Sequence, residues 1–63
     1  MTHDQQTVLQ AYDDAVKKLF NILYDAYVTA AGDAAQEQQA DQHFTTGLMR
    51  ARAARDKASA LAL

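Results

Sequence analysis

The chain has 63 residues, neither cysteine nor proline, and a formal net charge of -2. Disulfides are thereby excluded, the commonest zinc sites lose their usual ligands, and so small a charge does not by itself call for a polyanionic or polycationic partner. A chain of this length holds a single domain, and a scaffold too small to close a core without a staple is left with oligomerisation.

From the amino terminus, Met1-Thr2-His3-Asp4-Gln5-Gln6 has neither the basic region nor the apolar core of a secretory signal, and no later stretch is long and apolar enough to span a bilayer. The expectation is a cytoplasmic protein with no membrane partner. Thr2 is placed to cap a first helix, with Gln5 as the reciprocal member of a capping box and Asp4 well set in the positive first turn. Apolar or small residues then recur at alternating steps of four and three: Val8, Tyr12, Ala15, Leu19, Ile22, Ala26. Periodicity holds through Ala31, where Gly32 suits the left-handed residue that closes a helix. Asp33 follows as N-cap of a second helix, with Gln36 at capping-box distance and Glu37 close behind to meet the helix dipole. The expected organisation is one helical-hairpin domain, with helix one over residues 2–31, a turn at 32–33 and helix two over residues 34–60. So short a connection forces antiparallel neighbours.

The second helix resumes the repeat with Ala40, Phe44, Gly47, Ala51, Ala54 and Ala58. Folded about Asp33, the two stripes form an intrachain seam of rungs Val8/Ala58, Tyr12/Ala54, Ala15/Ala51, Leu19/Gly47, Ile22/Phe44 and Ala26/Ala40, mostly large against small. Small side chains let helix backbones approach closely, which puts Leu19 over Gly47. Gly47 costs up to about 1 kcal/mol of helix propensity relative to Ala. Close packing would offset that cost, and a kink or break at Thr45-Thr46-Gly47 is the competing expectation.

Beside its seam, helix one carries a second stripe of Leu9, Val16, Phe20, Leu23, Tyr27 and Ala30, a wider apolar face than one partner helix covers. Helix two is poorer, with Leu48, Met49 and Leu61 its only large aliphatic side chains. A dimer interface built from Leu9, Val16, Phe20, Leu23 and Tyr27 would bury the surplus, so the fold class is all-α, an antiparallel two-helix hairpin that dimerises into a four-helix bundle. A monomeric hairpin, or one piece of a larger complex, is the alternative. Tyr24 lies off both stripes, as a lone surface aromatic or as part of a patch for a partner. The apolar end Ala58-Ser59-Ala60-Leu61-Ala62-Leu63 is left open between finishing the bundle, fraying and docking elsewhere.

Charge divides unevenly along helix two, with Asp33, Glu37 and Asp41 early and Arg50, Arg52, Arg55 and Lys57 late, interrupted by Asp56. The structural explanation is dipole complementarity plus ion pairing across the hairpin, which brings Asp13 and Asp14 level with Arg50 and Arg52; exposed pairs of this kind contribute roughly 0.2 to 1 kcal/mol each. The functional explanation is a phosphate-contacting face made of Arg50, Arg52, Arg55 and Lys57, doubled by dimerisation and weakened by Asp13, Asp14 and Asp56. Length and layout are similar to the small plasmid-encoded, RNA-binding helical-hairpin dimers of the ROP type. The resemblance is architectural and implies only the dimeric hairpin, since fold alone confers no function.

Chemistry is sparse. His3 and His43 are the only side chains that ordinarily titrate near neutrality, and neither has a Glu three residues before it, as ferritin-like metal helices do. Glu37 and Asp41 share a helical face, where a solvated acidic first turn is the ordinary reading and weak cation binding the other. No Ser-His-acid order, phosphate-cradling glycine loop or cysteine nucleophile is present. The chain therefore reads as a non-enzymatic protein-interaction module without cofactor or metal, a regulator, adaptor or assembly factor whose partners are a second copy of itself and another protein. A nucleic-acid-binding regulator using the arginine-rich half of helix two ranks second.

Overall fold

A computed structural model describes all residues, Met1–Leu63, as two helices and nothing else: α1 over His3–Ala30 and α2 over Ala34–Leu61, each of 28 residues. The hairpin is a flat plank of 45 × 15 × 9 Å. Its radius of gyration is 14.5 Å, against about 11 Å for a compact domain of this length. No helix is long and apolar enough to cross a membrane.

α1 starts on a complete capping box. The Gln5 N–H donates to Thr2 Oγ1 at 3.1 Å, and the Thr2 N–H donates to Gln5 Oε1 at 3.1 Å, so two otherwise orphaned donors are met reciprocally. α2 starts on half of one. The Gln36 N–H donates to Asp33 Oδ1 at 3.0 Å, while the Asp33 N–H is already engaged at 2.9 Å by the Ala30 carbonyl that closes α1. The Gln36 side chain thus has no donor left to meet.

The turn differs from expectation by one residue. Ala31, not Gly32, is the first left-handed residue, at φ 49 and ψ 41, with its N–H donating to the Tyr27 carbonyl at 3.2 Å. Gly32 follows at φ 89. Reversing the chain between helix ends this close takes two successive positive φ angles, and only one of them falls on a residue without Cβ.

The open end is tied as well. The last turn of α2 holds no basic residue, so dipole complementarity does not reach its terminal carbonyls. Side chains from the start of α1 do: Gln5 Nε2 donates to the Ser59 carbonyl and Thr2 Oγ1 to the Ala62 carbonyl, both at 3.2 Å. Helix α2 continues to Leu61, with the Ala62 N–H reaching the Ala58 carbonyl at 3.0 Å. Thr2 caps one helix as acceptor and the other as donor.

Between these ends lies a thin seam rather than a closed core, and only Ala30 and Ala40 are buried. In α1 the half-buried residues are Gln5, Val8, Leu9, Tyr12, Ala15, Val16, Leu19, Leu23 and Ala26. In α2 they are Glu37, Phe44, Gly47, Leu48, Ala51, Arg55, Ala58 and Ser59, joined by the C-cap residue Ala62. The rung Leu19/Gly47 stands: a Cβ on Gly47 would lie 2.6 Å from Leu19 Cδ2. Close approach at this point is what the missing side chain permits. Helix α2 runs through Thr45-Thr46-Gly47 without a break.

Two rungs depart from the expected seam. Ile22 is 60% exposed, and the inward position is taken by Leu23. Ala54 is exposed, and Arg55 is half-buried in its place. Both shifts move the seam along the four-three row by one residue, which is about 100° around a helix. The stripes kept apart in the sequence reading merge accordingly, with Leu9, Val16 and Leu23 half-buried within the hairpin while Phe20 (57%) and Tyr27 (38%) stay exposed.

Candidate functional site

The plank has two broad faces, separated by helical spacing on either side of the seam. On the first, Phe20 and Tyr27 of α1 stand one heptad apart, flanked by Val16, and across from them α2 presents Glu37, Asp41, Arg52 and Arg55. Tyr27 is tied across the seam, its hydroxyl donating a hydrogen bond to Asp41 Oδ1. That bond first, then desolvation and the negative charges of Asp41 and Glu37, hold the phenol above its ordinary 10.0. Phe20 has no such tether.

On the opposite face, near the turn, an open groove of about 580 Å³ runs between the helices. Its floor is Leu19, Ile22, Leu23, Ala26, Ala40 and Phe44, and its rim is Asp25, Thr29, Gln36, Gln39 and His43. Ile22, displaced from the expected seam, is therefore a wall of this groove. The other exposed large apolar side chains within the helices, Tyr24, Val28, Met49 and Leu61, do not line it.

The basic residues of α2 are not equivalent. Arg55 is committed inside the hairpin: its guanidinium carbon sits 4.6 Å from the Tyr12 ring centroid, and its Nε donates to Asp56 Oδ1 at 3.0 Å. Its stem fills the seam position expected for Ala54 while the charge stays at the edge. Arg50, Arg52 and Lys57 make no ion pair. The expected pairing of Asp13 and Asp14 with Arg50 and Arg52 does not form, and Asp14 instead meets Lys17 at 4.0 Å on its own helix. The reason is angular. Arg50 and Arg52 straddle inward-facing Ala51, and Asp13 and Asp14 follow inward-facing Tyr12, so being level along the axis leaves the side chains diverging.

Charge is also polarised lengthwise. The half nearer the turn, residues 18–48, carries Lys18 against Asp25, Asp33, Glu37 and Asp41, a net of -3. The open half carries Lys17, Arg50, Arg52, Arg55 and Lys57 against Asp4, Asp13, Asp14 and Asp56, a net of +1. No three His, Asp or Glu side chains converge as a metal site would require. His43 lies on the groove rim, and His3 accepts from Thr7 Oγ1 through its backbone carbonyl at 3.1 Å.

The fold thus defines a class, the antiparallel two-helix hairpin. Comparison of the chain with protein-family models, curated proteins and solved structures gives no match. Three features of the surface were not expected from the sequence: the groove, the seating of Arg55 on Tyr12, and the tie between Tyr27 and Asp41. The second was legible in principle, because Phe44, Leu48, Ala51, Arg55, Ala58 and Ala62 also keep four-three spacing once a long amphipathic side chain is admitted to the seam.

Proposed function

We propose that the protein is a non-enzymatic protein-interaction module that works as a homodimer, joined through the face that carries Phe20 and Tyr27. The observation that carries this reading is the surface left uncovered. A compact monomer of 6.9 kDa exposes about 4000 Å², whereas this hairpin exposes 4871 Å². The excess is comparable to the roughly 800 Å² that each partner contributes to a stable interface of ordinary size. Part of it lies on Phe20, an aromatic ring of the kind that anchors interfaces. A second hairpin laid on this face supplies the missing layer and makes a four-helix bundle, the arrangement in which a two-helix chain without disulfide or metal finds a closed core.

Light scattering and thermal melts over a range of concentrations test the reading. The expected result is a dimer whose Tm rises with concentration, and whose Phe20→Glu variant dissociates. A folded species that stays monomeric at high micromolar concentration overturns it. Submicromolar RNA or DNA binding near physiological salt, lost on replacing Arg52 and Arg55 by Gln with the helices intact, would put a nucleic-acid-binding regulator in its place.

A further inference from the structure

We infer that the second copy docks head to tail on the Phe20 face, the turn of one hairpin lying beside the open end of the other. This rests on the homodimer reading and adds to it the orientation, which apolar contact alone does not specify. The lengthwise charge asymmetry specifies it. On the Phe20 face the carboxylates of Glu37 and Asp41 lie toward the turn, and the guanidinium groups of Arg52 and Arg55 lie toward the open end. Stacking two copies turn to turn would bring Glu37 and Asp41 to the level of their own counterparts and place the two halves of charge -3 together. Reversing one copy sets each acidic half against a half of charge +1 and brings Arg52, which has no ion-pair partner in its own chain, toward Glu37 and Asp41. Asp13, one heptad before Phe20, and Asp56, one turn after Arg52, lie toward the open end of the same face and offset Arg52 and Arg55 there, so that end is neutral where the turn end is acidic. Like charges opposed across an interface suppress the wrong register, and opposite charges steer the right one.

Apolar contact survives the reversal. Phe20 sits near the middle of the plank's length, so the Phe20 side chains of both copies lie at one level in either orientation: over each other when the two-fold axis runs across the plank and reverses it, and diagonally when the axis runs along the plank and keeps both turns at one end. Tyr27, seven residues beyond Phe20, then passes from the level of its own counterpart to that of the other copy's Asp13, seven residues before Phe20. With Phe20 at a shared level in both arrangements, charge is what separates them.

Spin labels decide it. With a nitroxide on Ala35→Cys, at an exposed site just after the turn, the head-to-tail dimer gives a label-to-label distance of about 40 Å, set by the rise along a 28-residue helix. A label on Ala60→Cys at the open end gives a similarly long distance, and a mixed sample of the two labelled chains gives a short one. The unlabelled protein adds a second readout: raising sodium chloride loosens a dimer held by opposed charges and tightens one in which like charges face. A dimer with both same-site distances short, tightened by salt, overturns the orientation while leaving the homodimer intact. Absence of any dimer overturns both. The Arg52→Glu variant is expected to dimerise several-fold more weakly with its helicity unchanged, and undiminished dimerisation would count against the opposed charges.

Discussion

The two helices have equal length and opposite construction. α1 brings volume to the seam through Val8, Leu9, Tyr12, Val16, Leu19 and Leu23, and α2 meets it with Ala40, Gly47, Ala51 and Ala58, adding size at Phe44 and Leu48. A helix with a strong apolar stripe is driven to pack, whereas one built of alanine, glutamine and charge has good propensity but little surface of its own to bury. The difference teaches that α2 is not a second copy of α1 but its counter-surface. Smallness is its contribution, because it lets the axes approach where Leu19 reaches over Gly47.

Filling that space should have the largest effect. Gly47→Leu is expected to destabilise the hairpin by about 1 to 3 kcal/mol despite better helix propensity, since its side chain meets that of Leu19. Adding Leu19→Ala to it should recover part of the loss by moving the volume from α1 to α2, a coupling that a double-mutant cycle of thermal or urea melts measures. A higher Tm for Gly47→Leu alone would mean that smallness at this position carries no weight.

The helix ends sharpen the comparison on a smaller scale. Thr2→Ala removes a cap from α1 and a donor to the Ala62 carbonyl of α2, and should cost about 1 kcal/mol, with exchange of the amides in the first turn of α1 accelerated. Ala31→Gly should stabilise by about 0.5 to 1 kcal/mol, because it removes a Cβ from a left-handed residue; the loss in unfolded-state order offsets only part of that gain. Urea midpoints at constant slope check both.

The subtlest test is the tie between Tyr27 and Asp41. The pKa of Tyr27 is raised in the folded state, so its contribution is complete below the ordinary value of 10.0 and is lost as pH rises through the raised one. Stability of the native chain should therefore fall more steeply above about pH 10 than that of Tyr27→Phe, which has no phenol to ionise. Thermal melts of the two proteins from neutral to alkaline pH would show their difference narrowing, and parallel curves would refute the coupling.

Some of this molecule was legible from local signals. Thr2-x-x-Gln5 marks the start of α1, and Gly32-Asp33 marks the reversal, because capping and left-handed turns depend on a few neighbouring residues. The Leu19/Gly47 rung was legible too, since its two partners are level about Asp33 and differ strongly in size. The phase of the seam was less so. Ile22 and Leu23 both fit a helical apolar stripe one residue apart, as do Ala54 and Arg55 when an arginine stem is allowed to pack, and no single-helix pattern ranks them.

The amino-acid sequence by itself determined that there are two helices, where they begin and end to within a residue, and that they lie antiparallel, because each of these follows from short-range backbone hydrogen bonding and a connection too short to permit anything else. Tertiary structure decided which side chains face inward, that Arg55 stacks on Tyr12 while Arg50 and Arg52 diverge from Asp13 and Asp14, and that Gln5 and Thr2 meet the terminal carbonyls of α2. Those outcomes depend on the rotation of each helix about its own axis. That rotation is settled only when two surfaces meet, by which large groups find small ones opposite and which unpaired carbonyls find a donor within reach.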